Sequence, residues 1–300
     1  QDDLLLVDHL SGDQDPKQHN LAGKRYVQYM DKEEFIRQIR SASVPGRVQA
    51  IIHMGACSST TLSDEKYFEE NNYRYTVDLA SWAMRHNARF IYASSAATYG
   101  NGEMGYSDDD QITLKLRPLN LYAHSKHKFD LHVLREKWQS EIVGLKFFNV
   151  YGPNEYHKEQ MRSLIAQSYP RIVNNEAVLL FRSYRDGYKD GDQKRDFVYV
   201  KDAIDVVLFF LEHPDKNGIF NVGTGVARTW NDLAAAIFKA VQQPSKITYI
   251  EMPETMRDKY QYYTQADVSK LRAAGYARPF TPLEDAILDY VGYLSKNQYL

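Results

Sequence analysis

The sequence has a single cysteine, Cys57, among its 300 residues. One thiol excludes an internal disulfide, and no apolar run approaches the length of a membrane-spanning helix. The first residues also lack the basic start and apolar core of a signal peptide. We therefore expect a reducing, cytoplasmic setting and no membrane partner.

An excess of either charge is also missing. The 37 Lys and Arg residues nearly balance the 39 Asp and Glu residues, so no global positive field draws the chain to nucleic acid. Any anionic ligand must therefore meet local cations. Hydrophobic residues at 43% and charged residues at 25% are the proportions of a globular protein and exclude extensive disorder.

Short apolar strands alternate with longer helices in the first half of the chain, and this order predicts a doubly wound parallel sheet. Strands are predicted at residues 4–8, 48–53, 89–94, 142–148 and 218–222, and helices at 31–42, 64–86, 121–138 and 202–212. After residue 153 the alternation loosens. There we predict helices at 161–173, 230–241 and 282–294, extended segments at 177–181 and 247–250, and a loop at 182–194 with almost nothing to bury.

A glycine-rich turn after the first strand is absent. Dinucleotide-binding sheets begin with a strand and such a turn, whereas neither GxGxxG nor GxxGxxG occurs here. The first predicted strand instead ends in Asp8, the position that usually closes the second strand and meets the adenosine ribose. We expect a Rossmann-like α/β fold whose first strand and glycine turn precede residue 1 in the parent protein, with a smaller C-terminal substrate-binding domain.

Tyr122 and Lys126 lie four residues apart, about one helical turn, and so share a helix face. An ammonium beside a phenol favours the phenolate, which predicts a lowered pKa for Tyr122 and proton exchange near neutrality. The same ammonium is also able to hydrogen-bond a cofactor ribose. Spacing alone fits an ordinary surface pair better than a catalytic pair.

Two predicted strand ends carry small residues. Residues 92–100 run from an apolar strand into Ser95 and its neighbours, where a hydroxyl is able to reach the same substrate oxygen as Tyr122. Residues 53–58 bring small side chains that let the backbone approach a cofactor. Cys57 fits packing better than nucleophilic chemistry, because no base accompanies it in the sequence.

Three motifs carry a family resemblance: SSAATYG at residues 94–100, the Tyr122–Lys126 pair and FNVYGP at residues 148–153. Together they resemble the extended short-chain dehydrogenase/reductase family, which modifies nucleotide sugars. Further runs are similar to the ADP-L-glycero-D-manno-heptose 6-epimerases within it: GACSSTT at 55–61, NNYRY at 71–75, KRDFVYVKD at 194–202, GIFNVGTG at 218–225 and TQADVSKLRAAGY at 264–276. The resemblance extends from about Leu4 to the C-terminus.

The resemblance implies redox epimerisation at C6 of ADP-heptose for lipopolysaccharide core biosynthesis. Because hydride returns to the opposite face of the carbonyl, two acid/base groups are expected, and the family's pair maps to Tyr122 and Lys158. Ser95 would orient the carbonyl and Lys126 would support Tyr122. Residues 1–151 with 198–225 would bind the dinucleotide, and residues 152–197 with 226–300 the nucleotide sugar. Family members are homo-oligomers, and the resemblance implies a pentamer.

The resemblance also assigns binding residues and no metal ligand. Those for the cofactor are Asp8, His9, Lys17, Lys32, Met54, Gly55, Ala56, Cys57, Ser58, Asn71, Lys126, Val150 and Lys158. Those for the substrate are Ser95, Asn149, Gln160, Gln167, Phe181, Arg182, Ser183, Tyr184, Arg195 and Tyr260. Asp8 would repel a 2′-phosphate and Lys17 would attract it, so the residues leave NAD and NADP open, while the resemblance favours NADP.

Several positions depart from the family pattern. They are His9, Met54, Ala123, His124, Asn154, Gln160, Gln167 and the segment 181–184. These departures concern the sugar more than the reaction, since Tyr122, Lys126, Lys158 and Arg195 are retained. Two alternatives therefore stay open: an epimerase or dehydratase of another nucleotide-diphosphate sugar, and a non-catalytic fragment that lacks the cofactor diphosphate site.

Overall fold

The computed structural model describes residues 3–12, 14–44, 46–60, 62–257 and 260–300. Thr61, at the end of the GACSSTT run, lies outside these ranges. The strands are β1 (Leu5–Asp8), β2 (Gln28–Asp31), β3 (Ala50–His53), β4 (Arg89–Ser95), β5 (Val143–Phe147), β6 (Asn149–Tyr151), β7 (Val178–Phe181), β8 (Lys194–Tyr199), β9 (Gly218–Val222), β10 (Ala227–Thr229) and β11 (Ile247–Ile250).

The α-helices are α1 (Lys32–Arg40), α2 (Glu65–Phe68), α3 (Tyr75–Arg85), α4 (Asp110–Thr113), α5 (Leu121–Arg135), α6 (Leu164–Val173), α7 (Val200–Glu212), α8 (Trp230–Val241), α9 (Glu254–Arg257), α10 (Ser269–Ala273) and α11 (Leu283–Lys296). A π-helix, Glu69–Arg74, joins α2 to α3. Short 3-10 helices span Pro16–Asn20, Ala96–Tyr99, Trp138–Ser140 and Tyr156–Met161. None of the helices in the described ranges is long and apolar enough to span a membrane.

A four-stranded parallel sheet in the order β3-β4-β5-β9 forms the centre of the fold. Its inner strands are almost wholly buried, which is why they read as continuous apolar runs rather than alternating ones. β1 pairs in parallel with β2 and, among the described residues, hydrogen-bonds to no strand of the central sheet. The predicted α/β fold with parallel strands is confirmed.

Side-chain caps fix where the helices beside the sheet begin. Asp31 accepts a hydrogen bond from the backbone N–H of Glu33 at the start of α1, and Asn120 accepts one from Ala123 at the start of α5. Each cap satisfies an N–H group that has no partner inside its helix. The cap at Asn120 starts α5 so that Tyr122 falls in its first turn.

Most predicted elements are confirmed, and the exceptions have local causes. The predicted continuous helix at 64–86 is instead α2, the π-helix and α3. The strands β2, β6, β8 and β10 were not predicted, because three or four residues carry little periodicity and β8 reads as a polar motif. The loop at 182–194 does bury residues, contrary to the prediction: Gly191 and Gln193 lie in the interior.

The buried apolar side chains divide between two regions of the chain. One core joins α6, α8 and α11 and the strands β7 and β8. Two others pack on the faces of the central sheet, through α1, α3 and α5 on one side and α7 on the other. This division supports the two predicted domains, although Leu271 and Tyr276 of the later region pack on the central sheet. We propose the predicted boundaries with that exception.

Candidate active site

The Ser95 turn lies at the carboxyl end of β4. Parallel pairing brings the ends of β3, β4 and β5 to one edge of the sheet, where ligands of open α/β sheets bind. The Ser95 hydroxyl oxygen accepts a hydrogen bond from the Ala97 N–H at 3.1 Å and so caps the following 3-10 helix. The cap fixes the hydroxyl at the rim of the sheet.

Tyr122 reaches this turn from the first turn of α5, and its phenol hydrogen-bonds the Ser95 hydroxyl. The predicted lowering of its pKa is wrong. Burial raises the pKa of Tyr122, and the hydrogen bond from Ser95 opposes that rise only in part. The Lys126 ammonium does not act on the phenol, because it donates to the Ala93 carbonyl at 2.7 Å.

Lys126 is nevertheless an unusual lysine. It is buried, and desolvation lowers its pKa to about 8 while the charge of Asp130, one turn further along α5, opposes the change. Its bond to Ala93 ties α5 to the end of β4, two residues before Ser95. Lys126 and Tyr122 therefore share a helix face but hold different partners.

Asn72, in the π-helix, connects the loop after β3 to α5. Its amide oxygen accepts from the Cys57 N–H and its amide nitrogen donates to the Cys57 carbonyl, both at 2.9 Å. The same nitrogen donates to the Ser125 hydroxyl at 2.9 Å, and that hydroxyl donates to the Tyr122 carbonyl at 2.7 Å. Single π-helical turns are frequent at functional sites, and this one aligns the residue 54–58 loop with Tyr122.

The predicted adenosine-side residues form two polar groups. The Lys17 ammonium lies 3.1 Å from the Asp8 carboxylate, and it also donates to the His9 carbonyl. The His9 imidazole lies 3.1 Å from the Asp31 carboxylate, at the end of the neighbouring strand. Asp8 and Asp31 thus end paired parallel strands side by side.

Lys32, an adenine-side residue, forms the second group with Asn71, which the resemblance assigns to the nicotinamide half of the cofactor. The Lys32 ammonium donates to the Asn71 amide oxygen, and the Asn71 amide nitrogen donates to Asn72 at 2.9 Å. This contact joins the start of α1 to the π-helix. The predicted residues on the adenosine side are therefore linked to the loop that Asn72 holds.

The predicted nicotinamide-side residues surround open space. A Cβ built on Gly55 would meet no atom within 4 Å. Met54, directly after β3, and Val150, in the middle of β6, each remain 39% exposed despite being apolar. Apolar side chains and free backbone beside a carboxylate and local cations are the features that a dinucleotide needs, so these residues fit a nicotinamide cofactor.

Lys158 is exposed, and its side chain makes no hydrogen bond or ion pair with any residue in the described ranges. It lies in the 3-10 helix before Glu159, whose backbone is left-handed at φ 47°. The charges of Lys158 and Lys17 add to burial in lowering the pKa of His157, so the two lysines lie on the same side of the molecule. The structure brings Lys158 near Lys17 but into no contact with Tyr122.

Arg195 is the centre of the predicted nucleotide-sugar site. Only 6% of it is exposed, yet among the described residues it has no carboxylate partner. Its guanidinium lies 5.0 Å from the ring centre of Tyr260 and 5.8 Å from that of Trp230. A buried, unneutralised arginine stacked on aromatic rings is suited to a phosphate and a flat base.

The segment 181–184 contacts the tyrosines on this side of the arginine. Phe181 meets the Tyr260 ring edge-on at 6.2 Å, and the backbone N–H of Tyr184 donates to the Tyr262 hydroxyl at 2.9 Å. Arg182 lies 3.4 Å from Glu251. The N–H of Ser183 is held by Asp190 at 2.8 Å.

The three remaining residues that were predicted to contact the sugar do not lie together. Asn149 is exposed at the start of β6. Gln160 and Gln167 instead line a separate cavity of about 630 Å³, where the Gln167 amide donates to the Gln160 carbonyl at 3.1 Å. The structure shows no contact between these two glutamines and either Ser95 or Arg195.

The sequence matches the NAD dependent epimerase/dehydratase family over residues 3–223. The chain belongs to this family. It is 50% identical to an ADP-L-glycero-D-manno-heptose-6-epimerase of Nitratidesulfovibrio vulgaris, over 97% of this chain and 89% of that protein. Membership of this family of nucleotide-sugar epimerases explains why the Ser95 and Tyr122 motifs occur in the same chain.

Two solved structures of epimerases share its fold. The Helicobacter pylori ADP-L-glycero-D-manno-heptose-6-epimerase has a TM-score of 0.78 and 26% identity, with coverage of 98% of this chain and 88% of that one. A Thermus thermophilus UDP-glucose 4-epimerase in complex with NAD has a TM-score of 0.71 and 22% identity, with coverage of 97% and 98%. The family assignment confirms the predicted resemblance.

Several residues that shape this epimerase site were not predicted. Asn72, Asp130 and Lys146 are buried polar residues, and the Tyr106 phenol lies within reach of the charges of both Arg195 and Arg185. For two of them the sequence pattern did contain an indication. Lys146 interrupts a buried apolar strand, and Asp130 lies four residues after Lys126 on the same helix face.

Proposed function

We propose that this chain inverts C6 of ADP-D-glycero-D-manno-heptose to give ADP-L-glycero-D-manno-heptose, for lipopolysaccharide core biosynthesis. The observation that carries the proposal is the hydrogen-bonded pair of Ser95 and Tyr122 at the rim of a parallel sheet. The chain that holds this pair is 50% identical to an ADP-L-glycero-D-manno-heptose-6-epimerase. Transient oxidation and re-reduction of one carbon needs an acid/base group, a carbonyl partner and a redox cofactor at one point.

Residues on and around the strands β1, β3 and β6, together with Lys126 of α5, are suited to hold the cofactor. Asp8 and Lys17 would meet the adenosine ribose, Met54 and Val150 would line the nicotinamide, and Lys126 would hydrogen-bond the second ribose. When bound, the nicotinamide supplies reversible hydride transfer.

Tyr122 is suited to proton transfer at the sugar oxygen. Its raised pKa keeps the phenol protonated at neutral pH, so it is able to give a proton to a carbonyl oxygen as that carbon is reduced. In the oxidation half of the reaction the proton of the sugar hydroxyl must pass to a deprotonated group, either the Tyr122 phenolate or the neutral amine of Lys158, so that one proton is taken up and one is given back in each turnover. Ser95 would donate to the same oxygen and hold the carbonyl in line.

Lys158 would be the acid/base group for the second orientation of the sugar in the site. The carbonyl must turn its other face before hydride returns, and one fixed phenol does not reach the oxygen equally well in both orientations. An exposed, unpaired ammonium on a short 3-10 helix is free to approach. Its role rests on the family resemblance and on its place beside Lys17.

The nucleotide diphosphate would bind Arg195, with adenine against Tyr260 and neighbouring rings. The buried guanidinium without a carboxylate supports this role, because a phosphate would neutralise it. Asn149 and the segment 181–184 would contact the rest of the substrate. Gln160 and Gln167 remain proposed sugar contacts from the resemblance, although they line the separate cavity.

The form of the cofactor and the assembly are further parts of the proposal. We propose NADP from the resemblance, with NAD as the alternative that the description of the family favours. The Lys17–Asp8 pair supports either, since Lys17 offsets the carboxylate that would repel a 2′-phosphate. We also propose a cytoplasmic homo-oligomer, a pentamer in the resemblance. Mass spectrometry of the bound nucleotide and light scattering test these points.

Turnover by the purified protein tests the function. ADP-D-glycero-D-manno-heptose is offered beside UDP- and GDP-sugars, and the epimeric products are separated and counted. We expect only the ADP-heptose to react, and we expect Tyr122→Phe and Lys158→Met each to slow it by roughly 10²- to 10⁴-fold while the fold persists. Lys115→Met is the matched control. Turnover of a UDP- or GDP-sugar alone would assign another substrate, and parent rates in both variants would remove the two-base scheme.

A further inference from the structure

Asp130 and Lys146 form an ion pair with no exposure to solvent. The Lys146 ammonium lies 2.5 Å from the Asp130 carboxylate, and both side chains are 0% exposed. Asp130 lies on α5, and Lys146 lies one residue before the end of β5, where it is paired with Ser94 of β4, the residue before Ser95. No proposed step of the reaction uses either charge.

Asp130 accepts hydrogen bonds from two side chains of β4. One carboxylate oxygen accepts from the Tyr92 hydroxyl at 2.9 Å, and the other accepts from the Ser94 hydroxyl at 2.7 Å as well as from Lys146. Gly144 leaves room for the Tyr92 ring, since a Cβ there would lie 2.4 Å from its hydroxyl. The carboxylate thus has three partners, the Tyr92 and Ser94 hydroxyls and the Lys146 ammonium, all inside the protein.

Lys146 extends the network to the Ser95 turn. Its ammonium donates to the Thr98 hydroxyl at 2.9 Å, and that hydroxyl donates to the Ser95 carbonyl at 2.8 Å. The ring of Tyr99 covers the ammonium at 5.3 Å. The turn that presents the Ser95 hydroxyl is therefore fixed from behind through Thr98.

An ion pair in this position is weak evidence for stability, because desolvating two charges offsets most of their attraction. Its contacts point to a different role. We propose that the Asp130–Lys146 pair is a positioning unit of the active site, which holds the Ser95 turn in place and sets a fixed negative charge one helical turn behind Lys126. The catalytic part of this inference rests on the roles proposed for Ser95 and Lys126.

The surroundings of Lys126 make Asp130 its principal charged neighbour. Tyr122 and Asp130 flank it on α5, His53 approaches from β3, and Lys146 lies beyond Asp130 on β5. Burial, with a contribution from Lys126, lowers the pKa of His53 to about 3, so that imidazole is neutral at working pH. The Asp130 charge opposes the fall in the pKa of Lys126. Its loss should therefore lower that pKa further, and Lys126 should lose its proton at lower pH.

The test compares Asp130→Asn, Lys146→Arg and the double variant Asp130→Asn/Lys146→Met with the parent. The double variant removes both charges together, so it avoids the heavy penalty of one unpaired buried charge. The Asn amide oxygen is able to accept from one of the Tyr92 and Ser94 hydroxyls, and its amide nitrogen is able to donate to the other. Lys128→Met, an exposed lysine on α5 paired with Glu69, is the control. Circular dichroism and thermal unfolding establish that each variant folds.

The direct readout is the titration of Lys126, followed by the ¹³Cε resonance of labelled lysine and assigned by its loss in Lys126→Met. We expect a parent midpoint near 8 and a fall of about one pH unit or more in the double variant, with no change in Lys146→Arg or the control. The inference is overturned if the folded double variant titrates as the parent does.

Turnover gives the second readout. A displaced Ser95 turn should lower kcat by roughly tenfold to a hundredfold with little change in KM, and Lys146→Arg should restore most of the rate. Equal kcat values in the parent and the folded double variant would contradict the positioning role. If the parent turns over no ADP-heptose, the proposed function fails, whereas the Lys126 titration still tests this inference.

Discussion

At the scale of single residues, the decisive competition is between burial and hydrogen bonding at Tyr122. Burial raises the pKa of the phenol, and the Ser95 hydroxyl opposes that rise. Lys126 takes no part, because its ammonium is held by the Ala93 carbonyl at 2.7 Å. Ser95, the carbonyl partner in the proposed function, is thus also the group that keeps the pKa of the phenol from rising further.

Ser95→Ala tests this pairing. Removing the hydroxyl should raise the pKa of Tyr122 further, because the hydrogen bond that favours the phenolate is lost, and should lower kcat by roughly 10²- to 10³-fold. The ¹³Cζ resonance of labelled tyrosine, assigned with Tyr122→Phe, reports the pKa. Ser140→Ala is the control at an exposed hydroxyl. A fall in the Tyr122 pKa, or an unchanged kcat, would show that Ser95 does not act on the phenol.

At the scale of elements, the loop between β7 and β8 borders the proposed nucleotide site. Arg185 of this loop lies 5.7 Å from the ring centre of Tyr262 and 6.0 Å from that of Tyr188. The charges of Arg185 and Arg195 both act on the Tyr106 phenol, whose pKa burial raises to about 12. The loop therefore adds a second arginine beside the buried one.

We predict that both arginines contribute to binding of the ADP group. Arg195→Ala should raise KM for ADP-heptose by more than tenfold and Arg185→Ala by a few-fold, since a hydrogen bond to a charged group contributes about 1.5–3 kcal/mol and exposure weakens it. Steady-state kinetics at two salt concentrations measures both effects. Arg37→Ala, on the outer face of α1, should leave KM unchanged. An unchanged KM in Arg195→Ala would remove the diphosphate site from this loop.

At the scale of the whole molecule, the last residues connect the two segments that carry Lys17 and Lys158. The Leu300 N–H donates to the Asn154 amide oxygen and the Tyr156 hydroxyl donates to the Gln298 carbonyl, both at 2.8 Å. The Tyr299 ring stacks on His19 at 5.6 Å and meets Tyr156 edge-on at 5.0 Å. These contacts hold the 3-10 helices at 16–20 and 156–161 together.

Tyr299→Ala should loosen both 3-10 helices without unfolding the core. Each aromatic contact contributes about 0.5–1.5 kcal/mol, so amide hydrogen exchange in residues 154–162 and 16–20 should quicken severalfold, while α7 keeps the exchange rates of the parent. Exchange followed by mass spectrometry measures this change, with Tyr26→Ala as the exposed control. Unaltered exchange at 154–162 would show that the tail does not order the Lys158 segment.

Much of this organisation follows from local sequence. The strand ends at Asp8 and Ser95 and the start of α5 are set by apolar runs and caps, so they could be predicted to within one residue. The pKa of Tyr122 could not, because it depends on how deeply the phenol is buried and on where Lys126 points. The hydrogen bonds of Asn72 and the stacking of Arg185 join segments that are far apart in the chain. The spacing of residues along the sequence does not indicate such contacts.

The measurement that tests the central claim most directly is epimerisation of ADP-D-glycero-D-manno-heptose in D₂O. If oxidation and re-reduction occur at C6 within one site, the hydrogen leaves and returns as hydride, which does not exchange with solvent. The account therefore predicts full conversion to the epimer with no deuterium at C6, read by NMR and mass spectrometry of the product. One deuterium at C6 per conversion would mean removal and return of a proton instead, and would contradict the account.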